Sequence, residues 1–146
     1  MTTINSTIEK FGYPSNLVKN YENWVVILRP VQITLGSLIL ACKQEVESFS
    51  LISRESHLEL ADVIIDIEKT LKTCFNYEKI NYLMLMMVDP HVHFHIIPRY
   101  KSTRRLAENV FEDFDWPGPP NLLHKRKIDD SVYKAIQKEV IQKWGG

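Results

Sequence analysis

"DPHVHFHIIPRY", residues 89–100, sets His91, His93 and His95 at every second position with an apolar residue in each gap. The chain has 146 residues and only five histidines, so three of them fall within five positions. A period of two belongs to an extended strand, in which residues i and i+2 share a face about 6.5–7 Å apart. His91, His93 and His95 therefore project together, while Val92, Phe94 and Ile96 project the other way. One side of this strand belongs to a core that a helix can cover. The other side presents a row of imidazoles.

Working outward, "KINYLMLMM" (79–87) reads as a partner strand, joined through Asp89-Pro90 by a connection short enough to demand an antiparallel hairpin. Pro98 has no N–H to give a ladder and is expected to end the histidine strand. Upstream, "WVVIL" (24–28) is β-branched and aromatic, and stops at Arg29-Pro30; "LGSLILACK" (35–43) is a further strand that begins at Gly36. From Arg54 to Phe75 the period changes. Leu60, Val63, Ile64, Ile67, Leu71 and Cys74 share one helical face, Glu55, Glu59, Asp66 and Lys69 lie off it, and a serine near 53 serves as N-cap. Residues 101–128 read as loop, with "DWPGPP" (115–120) barred from regular structure. Asp129 or Asp130 then caps a last helix with Tyr133, Ile136, Val140 and Trp144 along one stripe. The fold class is α+β: a mainly antiparallel sheet with one long helix packed on it and a C-terminal helix. The organisation is a single domain over 1–146, with the motif in a core of about 22–100 and a loop and helix in 101–146.

Composition narrows the function. Hydrophobic residues make up 45% and charged residues 25%, an ordinary globular balance, and 18 basic residues cancel 18 acidic ones. No global field draws the chain to nucleic acid or to a membrane surface, so neither is expected as a partner. The amino terminus shows no secretory signal, and "INYLMLMMV" is too short to cross a bilayer. Cys42 and Cys74 form no CxxC pair and sit in apolar patterns, as buried reduced thiols do; a cytoplasmic location is the default.

Three chemistries fit alternating imidazoles on one face. They are ordinary surface residues, or two or three ligands of a divalent metal, or a nucleophile with flanking donors. HxH on a strand suits zinc, yet a metal recruits further ligands, and Cys42, Cys74, His57 and His124 offer no spacing logic for one. The third chemistry needs less. A neutral imidazole attacks phosphorus near neutral pH, provided that its other ring nitrogen is held as a donor, and neighbouring imidazoles can donate to the phosphoryl oxygens.

"HVHFHII" (91–97) matches the His-φ-His-φ-His-φ-φ signature of the histidine triad nucleotide-binding superfamily, and Pro98-Arg99 is familiar there too. "LRPVQITLGSLIL" (28–40) resembles the strand-turn-strand that opens that domain, so residues from about 22 to 100 line up in order. "INYLMLMMVDPHVHFHIIPRY" is most like the prokaryotic diadenosine-tetraphosphate-hydrolase-like branch. The resemblance implies a hydrolase or nucleotidyl transferase without cofactor or resident metal. His93 would attack the α-phosphorus of a nucleotide, His95 would contact the phosphoryl oxygens or assist the leaving group, and the His91 carbonyl would hold the His93 tautomer. Gln32, Thr34, Arg99 and Asn81 are the substrate-binding candidates, each with a plainer reading as a turn residue, a strand end or an edge position. Trp116 is read as packed on its own domain or as a base-stacking residue. A homodimer is implied, with Met84, Met86 and Met87 as core filler or as part of its seam. Two departures stand out: Met87 and Val88 occupy positions where relatives carry polar residues, and Ser37 stands where many have histidine. A nucleotide-binding protein without turnover and a divalent-metal-binding protein remain the alternatives.

Overall fold

A computed structural model describes residues 4–124 and 126–146. In chain order the elements are α1 (Ser6–Lys10), β1 (Leu17–Asn20), β2 (Trp24–Leu28), β3 (Leu38–Cys42), α2 (Arg54–Phe75), β4 (Lys79–Leu83), β5 (His93–Arg99), β6 (Arg104–Leu106), β7 (Asn109–Phe111) and α3 (Asp130–Gln142), with a short 3-10 turn at Phe49–Leu51. Among the described residues, five antiparallel strands form one sheet in the order β1-β2-β3-β5-β4, and β6 and β7 pair separately. The α+β class follows directly.

The sheet's two faces are set by alternation. Trp24, Val26 and Leu28 of β2, Leu38, Leu40 and Cys42 of β3, and Phe94 and Ile96 of β5 meet Leu60, Val63, Ile67 and Leu71 of α2 in one cluster. Val132, Ile136 and Val140 of α3 join it. Fully burying each such aliphatic side chain contributes about 1.5–3 kcal/mol before entropy is counted. Ser53 caps α2, its hydroxyl accepting from the Ser56 N–H at 3.1 Å, and Asn76 closes the helix in the left-handed region. The indole of Trp24 donates to the Ser56 carbonyl at 2.8 Å, which fixes the helix against β2.

The β2–β3 turn is tight because its polar side chains bond within it. Gln32 Nε2 donates to the carbonyls of Arg29 and Ser37, both at 2.8 Å, and its Oε1 accepts from the Gly36 N–H at 2.9 Å. Gly36 sits at φ 86°, and a Cβ there would fall 2.7 Å from the Phe75 ring.

Several sequence expectations are corrected. The histidine strand is Val92-free and begins at His93, with His91 in the bend before it, and it continues through Pro98 to Arg99. Pro98 is tolerated because its carbonyl, which accepts from Thr34 Oγ1 at 2.6 Å, points to the β3 side; its missing N–H faces the same way, beyond the end of β3. β4 stops at Leu83 rather than Met87, so Met84–Met87 belong to the connection. Residues 101–128 are not all loop, since β6 and β7 form a hairpin there, and residues 4–20 supply α1 and β1, which no periodic run announces. Cys42 and Cys74 are free thiols, Cys42 buried and Cys74 half-buried. Among the described residues no helix is long and apolar enough to cross a membrane.

Candidate active site

β5 lies inside the sheet, between β3 and β4, and its odd-numbered side chains share a face with Val25 and Ile27 of β2 and Ile39 and Ala41 of β3. Ala41 stands opposite His93, Ile39 opposite His95, and Leu83 on the other side of His95. The imidazole rings of His93 and His95 are 5.2 Å apart at their centroids, edge to face.

The two rings are held in opposite tautomers. His93 Nδ1 lies 2.7 Å from the His91 carbonyl, which can only accept. Nδ1 therefore carries the proton, and Nε2 carries the lone pair. His95 Nδ1 lies 3.2 Å from Arg29 Nε, and a guanidinium can only donate. Here Nδ1 carries the lone pair and Nε2–H is the donor. The arrangement sets a ring nitrogen bearing a lone pair beside a ring N–H. Burial, then the positive charge of Arg29 and then the neighbouring His93, push the His95 pKa down to about 4 against a smaller opposing effect of Asp89; the ring is neutral at pH 7.

This face is not open. His93 is 0% exposed and His95 7%. Phe11 lies across both, its ring centroid 5.5 Å from His93 and 5.8 Å from His95, and His93 Nε2 is buried without a hydrogen-bond partner. Ile8 packs with Val25, Ile27, Ile39 and Ala41. Asn5 caps α1 through its side-chain oxygen and ties it to β3, Nδ2 donating to the Cys42 carbonyl at 3.0 Å. Thr7 Oγ1 lies 2.9 Å from Nδ1 of the half-buried His91, and Lys10 pairs with Asp89.

The other candidates divide. Gln32 and Thr34 are buried, and their polar atoms are engaged within the turn and on Pro98. Arg99, 4% exposed, makes a two-point contact with Asp113 at 2.7 and 3.2 Å and also donates to Asn81 Oδ1 and the Gly118 carbonyl. Asn81 and Arg99, with Leu83 and the half-buried Trp116, line a cavity of about 700 Å³ between β4 and the 116–120 segment. The structure thus gathers the histidines in one place and Asn81, Arg99 and Trp116 in a neighbouring one. Arg29, which sequence reasoning took only as a strand end, belongs with the histidines. Its signal was available: Val25, Ile27 and Arg29 alternate onto the histidine face. Among the described residues no group of three or more His, Cys, Asp or Glu side chains is arranged to hold a metal ion.

A five-stranded antiparallel sheet with a long helix on one face and alternating imidazoles on the other is the histidine triad fold. Solved structures that share it include a histidine triad protein from Sinorhizobium meliloti, 17% identical, covering 98% of this chain and 97% of that one with a TM-score of 0.76. A histidine triad protein from Bradyrhizobium japonicum is 15% identical, with 97% of each chain covered and a TM-score of 0.73. A hypothetical histidine triad nucleotide-binding protein from Sulfolobus tokodaii is 20% identical over 88% of this chain and 82% of that one, with a TM-score of 0.67. At these identities the likeness establishes the fold. No protein-family model matches the sequence, and neither does any curated protein.

Proposed function

We propose that the chain is a nucleotide hydrolase or nucleotidyl transferase working through a covalent nucleotidyl-His93 intermediate. Its substrate is a nucleoside polyphosphate, a dinucleoside polyphosphate of the diadenosine tetraphosphate kind, or a nucleotide phosphoramidate. The observation that carries this reading is the opposed pair of tautomers, a lone pair on His93 Nε2 beside an N–H on His95. His93 Nε2 forms a bond to the α-phosphorus as the bond to the leaving group breaks, and the leaving group keeps the electron pair. His93 Nδ1–H stays on the His91 carbonyl, so the ring becomes cationic and is stabilised there. His95 Nε2–H donates to a phosphoryl oxygen. Water then attacks the same phosphorus, the P–Nε2 bond breaks, the water proton leaves to solvent and a nucleoside monophosphate departs.

The cavity beside β4 is of ligand size and offers Trp116 for stacking, Asn81 for hydrogen bonding and the Arg99–Asp113 pair as its wall. Gln32 and Thr34 act by holding the turn that carries Arg29. Phe11 covers the nucleophile here, so turnover requires residues 5–13 to withdraw when substrate binds. Leu85, Met87 and Val88 are exposed and apolar beside the edge strand β4, which supports a homodimer seam there.

A second reading, a nucleotide-binding protein without turnover, is favoured by that same cover. A hydrolysis panel of diadenosine tetraphosphate, a nucleoside phosphoramidate and an adenylated amine separates the two. Release of nucleoside monophosphate by the wild type, abolished in His93→Asn, is expected. Nucleotide binding with no product from any of the three would overturn the hydrolase reading.

A further inference from the structure

We infer that Arg29 is a positioning residue for the reaction: it locks His95 as the Nε2–H donor and places a permanent positive charge one hydrogen bond behind that donor, which suits the site to leaving groups that depart as anions. The catalytic part of this inference rests on the hydrolase reading above; the tautomer part does not.

Arg29 follows β2, and alternation turns its side chain onto the histidine face. It is 8% exposed. None of the ion pairs among the described residues includes it, although a buried guanidinium ordinarily needs a carboxylate. Its partners are instead neutral: Nε donates to His95 Nδ1 at 3.2 Å, one terminal nitrogen to the Val31 carbonyl at 2.7 Å and the other to the Leu122 carbonyl at 3.5 Å. Burial alone pushes its pKa down, with no acid to offset the effect. The contrast with Arg99 is instructive. That guanidinium is also buried but has Asp113. Arg29 has been left with its charge uncompensated beside the ring that faces phosphorus.

The backbone of Arg29 is held as firmly as its side chain. Its N–H donates to the Ser37 carbonyl at 2.9 Å, and its own carbonyl accepts from Gln32 Nε2. With a cation donating into Nδ1, His95 gives a stronger Nε2–H bond to a phosphoryl oxygen. The same contact forbids a proton on Nδ1, so His95 is no source of a second proton for an amine leaving group. Asp89 is engaged by Lys10, and Leu85, Met87 and Val88 hold no proton to give. A polyphosphate or a nucleotide, which leaves as a stable anion, needs none.

The experiment has two readouts. Two-bond ¹⁵N–¹H correlation spectra of the imidazoles, taken without substrate, report the tautomers. In the wild type His95 should appear as Nε2–H and His93 as Nδ1–H. Arg29→Met should release His95 into a mixture and leave His93 unchanged, while Arg29→Gln, which keeps a donor without the charge, should retain the His95 tautomer. Turnover of diadenosine tetraphosphate should fall roughly 100-fold in Arg29→Met, the scale of losing one preorganised donor. It should recover in part in Arg29→Gln, and phosphoramidate should remain the poorer substrate of the wild type. A wild-type His95 protonated on Nδ1, a His95 tautomer unmoved in Arg29→Met, or turnover of that variant within about twofold of wild type would overturn the inference. If no substrate is turned over at all, the hydrolase reading fails while the spectra still decide the role of Arg29. If Arg29→Met does not fold, the wild-type spectrum and the turnover of Arg29→Gln decide: a wild-type His95 protonated on Nδ1, or an Arg29→Gln turnover equal to that of the wild type, would overturn the inference.

Discussion

Lowering the pH from about 7 to about 4.5 should destabilise the protein through His95 by an amount the structure sets. In the folded chain its pKa is pushed down to about 4, first by burial, then by Arg29 and His93, with Asp89 acting in the opposite sense. In the unfolded chain a histidine titrates near 6.5, and each pKa unit corresponds to about 1.4 kcal/mol. The unfolded chain therefore takes up a proton in a range where the folded chain does not. The stability contributed by the neutral ring is full above about pH 6.5 and falls away as the pH drops toward 4. Evaluated between pH 7 and 4.5, the loss is about 2.5 kcal/mol. Other groups titrate over the same range, so His95→Gln is the reference, with the same carboxylates and no ring. Urea unfolding of both proteins at the two pH values yields a double difference, in which the wild type should lose about 2.5 kcal/mol more than the variant. A double difference under about 0.5 kcal/mol would show that the folded protein accepts the proton, and the reasoning that makes His95 a neutral donor would be refuted.

Asp113→Ala should cost about 3–5 kcal/mol in chemical denaturation, because it strands the buried Arg99 guanidinium and unpairs the Tyr100 N–H as well. Phe11→Ala should cost only about 1–2 kcal/mol, since the ring is half-buried. The same variant should speed the modification of His93 by diethyl pyrocarbonate by about 5- to 30-fold if opening free energy tracks that loss; an unchanged rate would show that Phe11 is not what shields His93. Gly36→Ala should cost about 2 kcal/mol in thermal unfolding, from a left-handed backbone and a Cβ set 2.7 Å from Phe75.

The histidine strand, its partner and the long helix were legible because each has a period that survives without context: two in "HVHFHII" and 3.6 from Arg54 to Phe75. Ser53 was readable as a cap for the same reason, a local bond to Ser56. The cover over the histidines was not legible. α1 is five residues long, and it is placed by contacts such as Thr7 to His91, 84 positions away in the chain. β6 and β7 escaped because their hairpin turns on Ala107 and Glu108 at positive φ, residue types that give no turn signal. Arg99 read as a substrate-binding candidate or a plain strand end because nothing local announces Asp113, which becomes its partner only when the chain folds back. Arg29 was missed for the opposite reason: the alternation that reveals it was present, but a charge at a strand end invites no question about which face it points to.

If the lone pair on His93 Nε2 bonds to phosphorus, intact-mass analysis after mixing with diadenosine tetraphosphate should trap the product, provided the quench is denaturing and alkaline, because a P–N bond to imidazole is lost in acid. One added nucleotidyl group is expected, located on His93 by peptide mapping without acid and absent from His93→Asn. A protein that releases nucleoside monophosphate while never carrying that group, or carries it on another residue, would contradict it.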